Sequence, residues 1–163
     1  MICAIFATDE SGNFGFNNGL PWDKSKGDLS FFKKQTIGGI IVMGANTFRS
    51  LNGFLPNRRH VVLTSDEDIH AMSTTHSNLE VFYDIDQMIE SIGNNFWVIG
   101  GPSLLYEIGD KLQYDVVFHT VIEGTYDGDT KLDHQRIVKY LTHVHYRGRD
   151  GKTVHKYINE YKF

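Results

Sequence analysis

The apolar positions of this 163-residue chain fall into short continuous runs, separated by polar stretches rich in glycine. Residues 1–8 form the first run, bounded by Asp9-Glu10-Ser11-Gly12. Such a run predicts a strand of a parallel sheet, buried on both faces. Residues 40–43, 60–64, 79–82, 96–99 and 114–122 predict further strands. Between them the spacing turns helical. Helices are predicted over 25–36, over 44–51, after the capping box Asp84-Ile85-Asp86-Gln87, and after Gly100-Gly101, with Pro102 near the first turn. Ile85, Met88, Ile89 and Ile92 share one face of the third helix. Residues 65–78 are polar and irregular, and 124–133 form a polar loop. Residues 137–163 predict two strands joined at Gly148-Arg149-Asp150-Gly151, a hairpin signal. Strands alternating with helices and closed by a hairpin predict an α/β fold. Its sheet is mixed and mostly parallel, with an antiparallel C-terminal edge.

Two stretches interrupt this order. Residues 9–24 carry Gly12, Gly15, Gly19, Pro21 and three asparagines without periodicity. Loops of that length in a compact domain are usually functional or disordered. Phe14, Phe16, Leu20 and Trp22 need cover, which favours a mobile lid over a site. The helix after it places a carboxylate among aromatic rings. With Asp28 at zero on a helical wheel, Phe32 falls at roughly +40°, Phe31 at about −60° and Leu29 near +100°. An ionised carboxylate there needs a partner, and none lies on that helix face. A small-molecule ligand would supply it. The competing reading is a helix cap, since Ser25-Lys26-Gly27-Asp28 fits a capping box and an acid in a first turn suits the helix dipole.

Two further motifs suit an anion. Gly44-Ala45-Asn46-Thr47 opens a helix with small residues, and Gly100-Gly101 lets a backbone come close to something bulky and charged. Neither is the G-x-G-x-x-G fingerprint, so a standard dinucleotide fold is not indicated.

Composition narrows the function classes. Apolar residues make up 40% and charged residues 22%, ordinary for a globular protein. The net charge of −4, from 16 basic and 20 acidic residues, argues against nucleic acid held by bulk charge. No apolar stretch approaches a membrane span, and the start lacks the basic flank of a signal peptide. One cysteine, Cys3, cannot form an internal disulfide and suits the cytoplasm. Of the eight histidines, His143-x-His145 would share a strand face, but no H-E-x-x-H or third ligand accompanies them, so no metal is expected and they read as solvated. Asp127 and Asp129 lack the rest of a calcium loop.

Phe14-Gly15 ahead of Leu20-Pro21-Trp22, followed by Asp28-Leu29-x-x-Phe32-Lys33, resembles the dihydrofolate reductase family. So do Val42-Met43-Gly44-x-x-Thr47-Phe48-x-Ser50-Leu51, Leu55-Pro56-Asn57-Arg58, Val98-Ile99-Gly100-Gly101 and Gly128-Asp129-Thr130, in the family's order and at nearly its spacing. The resemblance covers essentially the whole chain. It implies a single three-layer domain over 1–163, with helices on both faces of the sheet. It also implies a monomeric cytoplasmic enzyme that reduces 7,8-dihydrofolate with NADPH, serving thymidylate and one-carbon metabolism. Asp28 matches the acid that binds N3 and the 2-amino edge of the pterin. Thr120 stands beside it, and Trp22 helps to hold an ordered water. Cys3, Ile5, Ala7, Leu29, Phe32, Leu51, Leu55 and Ile99 match substrate-binding positions, and Arg58 matches the clamp on the glutamate α-carboxylate. Cofactor positions match Ala7, Phe14, Gly15, Asn18, Leu20, Gly44, Ala45, Asn46, Thr47, Leu63, Thr64, Ser65, Ile99, Gly100, Gly101, Ser103, Leu104, Leu105 and Thr130. The loop from Phe14 to Trp22 matches the one that closes over the nicotinamide.

The chain departs from the family in places. Ala45, and Pro102 with Ser103, stand where many members place the basic residues that hold the 2′-phosphate of NADPH. Thr64 and Ser65 remain as polar contacts, and Arg49 or Arg59 stand as substitutes, so NADH use stays open. Leu105 replaces a customary tyrosine, with Tyr106 shifted by one. Two rival readings stay open beside this one. A related pyrimidine reductase of riboflavin synthesis would not call for Trp22, Asp28 and Arg58 together. A folate- or nucleotide-binding module would not need Asp28, Trp22 and Thr120 intact.

Overall fold

The structure is a computed structural model that describes residues 1–15, 29–144, 148–149 and 151–162. Asn18, Leu20, Trp22, Ser25, Asp28 and His145 lie outside the described residues. Six parallel strands make most of the sheet: β1 (Ile2–Asp9), β3 (Ile40–Gly44), β4 (Arg59–Leu63), β5 (Leu79–Phe82), β6 (Phe96–Gly100) and β7 (Val116–Ile122). The antiparallel strand β10 (Lys152–Ile158) adds to β7, and β8 (Thr142–Val144) adds to β10. The order is β5-β4-β3-β6-β1-β7-β10-β8. A two-residue strand, β2 (Phe14–Gly15), returns antiparallel on β1, and β9 (Gly148–Arg149) pairs with the start of β10.

Strand β1 shows why the first apolar run is continuous. Ile2, Ala4 and Phe6 point into one core, while Cys3 and Ile5 point into the other. The first core is covered by α4 (Ile85–Ile92), α5 (Pro102–Leu112) and α6 (His134–Val138), through Ile85, Met88, Leu104, Leu105, Ile108, Ile137 and Val138. The second takes Phe31 and Phe32 of α1 (Ser30–Thr36), Phe48 of α2 (Ala45–Ser50) and Ile69 of α3 (Glu67–Met72). Helices therefore cover both faces. No helix among the described residues is long and apolar enough to cross a membrane.

Local differences from the sequence pattern have physical causes. Helix α3 lies inside the stretch read as irregular. Asp66 caps it, accepting the N–H groups of Asp68 (2.9 Å) and Ile69 (3.3 Å), and a six-residue helix is too short to show a period. Helix α6 stands where a strand was expected from residue 137. Its buried neighbours Ile137 and Val138 imitate a strand start, and Asp133 caps it through Gln135 N–H at 3.1 Å. Strand β2 lies inside the expected lid. Helix α1 is described from Ser30, with Leu29 at its N-cap.

His119 is buried, not solvated. Its Nε2 meets Thr8 Oγ1 at 2.7 Å, and its ring lies 4.8 Å from Phe6, 4.9 Å from His134 and 6.3 Å from His155. Burial, helped by His134 and His155, pushes its pKa down to about 3. An unfolded imidazole titrates near 6.5. The unfolded chain therefore takes the proton first, and the stability that neutral His119 provides, complete above pH 6.5, is lost as pH falls towards 3. Urea unfolding midpoints should fall between pH 7.5 and 5. The expected steepest loss is about 1.4 kcal/mol per pH unit from this residue, and His119→Leu should flatten the dependence.

Candidate functional site

Because β3, β4, β5, β6 and β1 run parallel, their C-terminal ends share one edge of the sheet, where an open cleft of about 830 Å³ lies. Two strand-to-helix turns build its floor. At the first, β3 ends in Gly44 and the first turn of α2, Ala45-Asn46-Thr47, lines the wall. At the second, β6 ends in Gly100, and α5 starts at Pro102 with Gly101 as N-cap and no side chain bonded to its first N–H groups. An eleven-residue helix with an uncapped start presents donors and a positive dipole end to the cleft. Gly100 has φ +143°, and a Cβ there would sit 2.7 Å from Phe14 Cζ and 3.3 Å from Thr47 Oγ1. A side chain is excluded by both backbone and space. The Gly100–Gly101 peptide is cis. Backbone donors, a threonine hydroxyl and an absent Cβ suit the pyrophosphate of a dinucleotide.

Of the residues matched to cofactor positions, Phe14, Gly15, Gly44, Ala45, Asn46, Thr47, Leu63, Thr64, Gly101, Ser103, Leu104 and Thr130 line this cleft. Ser65, Ala7, Ile99 and Gly100 are not among its lining residues. Leu105 is fully buried, facing the core with Ile108, and Tyr106 takes the cleft position instead. Helical rotation explains the exchange: Pro102, Ser103, Tyr106 and Glu107 share one face of α5, and Leu105 and Ile108 are fully buried on the other, with Leu104 at the boundary. Tyr106 is fixed by Asp133 N–H (2.7 Å to its hydroxyl) and by Arg136, 4.3 Å over its ring. The same spacing would have found Tyr106 and Glu107 from the sequence. Tyr83, Asp84 and Ile85 were findable as the next strand-to-helix turn along the same edge.

The second core lies on the α1 face of the sheet. Cys3, Ile5, Leu51 and Ile99 are buried there, with Phe31, Phe32, Leu55 and Phe118 packed against them. Leu29, expected on this wall, is 42% exposed at the helix start. Phe31 meets Phe118 edge-on at 5.3 Å. Thr120 lies two residues along β7 from Phe118, on the same face, and is the register partner of Ala7. Burial pushes the Cys3 thiol up to about 11, so it packs as an apolar group. His60, fully buried, accepts the Leu55 N–H at 2.9 Å and so positions that wall; nothing in the spacing marked it.

Arg58 lies against Phe32 of this cluster. It is 7% exposed, with Nε donating to Pro56 O (3.0 Å), Nη1 to Thr36 Oγ1 (3.3 Å), and its guanidinium 5.9 Å over the Phe32 ring. No carboxylate among the described residues is paired with it, and burial lowers its pKa. Among the described residues only neutral groups hold this buried guanidinium, an arrangement suited to receiving an anion.

One organising residue carried no motif. Asp9, 1% exposed at the end of β1, accepts N–H groups from Ser11 (2.9 Å), Asn13 (2.9 Å backbone, 2.7 Å side chain) and Tyr126 (2.8 Å). Burial alone would raise its pKa, but these donors bring it below the usual carboxylate value. Its sequence signal is an acid ending an apolar run just ahead of Gly and Asn.

Residues 1–162 match the dihydrofolate reductase family model. Dihydrofolate reductase of Staphylococcus aureus (strain Mu50 / ATCC 700699) is 39% identical over 129 residues, 79% of this chain and 76% of that one. Dihydrofolate reductase type 8 of Escherichia coli is 33% identical over 142 residues, 83% of this chain and 82% of its own. A solved dihydrofolate reductase from Enterococcus faecalis, complexed with NADP(H) and RAB-propyl, superposes with TM-score 0.75 at 28% identity, over 97% of this chain and 95% of that one. With the family model spanning nearly every residue, this chain belongs to the dihydrofolate reductase family.

Proposed function

We propose that this chain reduces 7,8-dihydrofolate to 5,6,7,8-tetrahydrofolate with NADPH, and that the residues just described divide the work. The observation that carries this is the pairing of two unlike features. An anion-cradling cleft at Gly100-Gly101 and the start of α5 stands on the same sheet as an apolar cluster against which the buried Arg58 rests through Phe32, with no carboxylate partner among the described residues. A dinucleotide fits the first, and a flat heterocycle with an anionic tail fits the second.

Bound NADPH supplies a hydride to C6 of the pterin. This chain's residues bind, orient and protonate. Asp28 pairs with the N3 and 2-amino edge of the pterin by charge-assisted hydrogen bonds and favours protonation at N5. Thr120 supports Asp28, and Trp22 holds the water that passes the proton. Leu29, Phe32, Leu51 and Leu55 hold the rings, and Ile5, Ala7 and Ile99 back the place where pterin and nicotinamide meet. Arg58 holds the α-carboxylate of the glutamate tail. The loop from Phe14 to Trp22 shields the hydride transfer from water. The chain works as one domain over 1–163, as a cytoplasmic monomer. The lone buried thiol of Cys3 supports a reducing compartment. Exposed large apolar residues such as Ile37, Met72, Tyr140 and Tyr161 are scattered over separate elements, which supports the monomer.

Absorbance at 340 nm with dihydrofolate and NADPH tests the activity directly, and no turnover would refute it. Asp28→Asn should cut the hydride-transfer rate about 100-fold at pH 7, and less at low pH, where substrate arrives protonated. An unchanged rate at pH 7 would remove Asp28 from the mechanism. Arg58→Leu should raise KM for dihydrofolate about 10- to 100-fold, as expected for a lost hydrogen-bonded charge pair, with kcat nearly kept. It should not affect KM for a reducible pterin lacking the glutamate, and an equal rise for both substrates would exclude the clamp.

A further inference from the structure

Beside the cleft wall at Asn46 and Thr64 stands a cation that is already engaged. Arg49 projects from α2, whose first turn lines the cleft. Its Nη1 donates to Asn46 Oδ1 at 3.3 Å, and its Nη2 is ion-paired with Asp66 Oδ2. Asn46 and Thr64 are both wall residues, and the backbone N–H of Asp66 donates to Thr64 Oγ1 at 3.1 Å. The guanidinium thus joins Asn46 of the wall to Asp66, which is itself held to Thr64, and its side chain is 54% exposed. Arg59 cannot replace it. That residue begins β4, four positions before Leu63 at the cleft, a distance of roughly 13 Å along a strand, and it is ion-paired with Glu80 on β5. The remaining charges on the walls are Asp84, Glu107, Asp129 and Lys131.

This inference rests on the function proposed above. If the nicotinamide lies at Phe14 and Ala7 and the pyrophosphate at the start of α5, the adenosine takes the end lined by Leu63, Thr64 and Tyr83. We propose that the Arg49–Asp66 pair sets the choice between dinucleotides with and without a 2′-phosphate: Asp66 occupies the guanidinium that stands beside that end. The enzyme therefore gains little affinity from the 2′-phosphate. Asp66 is a specificity-determining residue that acts through Arg49.

The charge can be removed without removing the helix cap. Asp66 Oδ1 caps α3, and an asparagine keeps that acceptor. Dissociation constants of NADP⁺ and NAD⁺, measured by calorimetry without turnover, test the proposal on the full chain as wild type, Asp66→Asn, Arg49→Gln and the double variant. Asp66→Asn should tighten NADP⁺ about five- to tenfold, the scale of one exposed charge-assisted contact, and leave NAD⁺ within about twofold. The gain should shrink with added salt and vanish in the double variant, while Arg49→Gln alone should leave NADP⁺ within about twofold. Equal changes for both dinucleotides, or a gain that persists without Arg49, would overturn the assignment. Wild-type protein that binds neither dinucleotide would overturn the proposed function itself, a separate and recognisable result.

Discussion

A carboxylate sealed inside a protein survives only if donors replace the water it has lost, and Asp9 meets that condition at the end of the central strand. An unpaired buried charge costs several kcal/mol. Four N–H groups from Ser11, Asn13 and Tyr126 offset the cost here. Satisfying Asp9 ties the β1–β2 turn to the loop after β7, and Asn13 Nδ2 and Phe14 N–H add bonds to Tyr126 O and Thr130 O. The ring of Phe14 is thereby delivered onto Gly100, where a Cβ would collide with it. One satisfied acid thus fixes the turn, the turn places the ring, and the ring leaves room for no residue but glycine at the cleft floor.

The parallel arrangement does the rest. Six strands running the same way put successive strand-to-helix turns on one edge, so residues far apart in sequence, such as Gly44, Leu63, Tyr83 and Gly101, become neighbours. Much of this was legible in the chain. Unbroken apolar runs marked strands buried on both faces, and the terminal hairpin signal marked the antiparallel edge. Gly44-Ala45-Asn46-Thr47 and Gly100-Gly101 announced themselves because small residues at a strand end are placed there for what must approach them.

What stayed hidden shares a cause: it depends on partners remote in sequence or on elements too short to have a period. Helices α3 and α6 have six and five residues, so their caps at Asp66 and Asp133 were the only signals. Asp9, His60 and His119 look like ordinary polar residues beside apolar ones, and only the register with strands and loops a long way off makes them buried. Leu105 failed differently. A match to a family position sets the place along the chain, whereas rotation about α5 decides which neighbour faces the cleft, and Tyr106 does. For Asp28 and Trp22 the wheel and the resemblance remain the support, since both lie outside the described residues.

Two anionic ligands on a chain of net charge −4 pose an electrostatic problem that the structure meets in two ways. At the end proposed for the substrate a full charge is used. Arg58 is buried against Phe32 and Thr36, where screening by salt is weak and a carboxylate finds a rigid fork of donors. At the cofactor end the charges on the walls are mostly acidic, and the nearby arginine is neutralised by Asp66. Attraction there falls to peptide N–H groups at the start of α5 and to the close approach that Gly100-Gly101 permits, short-range and geometric rather than long-range. Such a cradle recognises the shape of a pyrophosphate and stays indifferent to charge added some distance away. On the proposed placement, discrimination by a remote phosphate has to come from side chains at the adenosine end, beside which Arg49 is held in an internal ion pair.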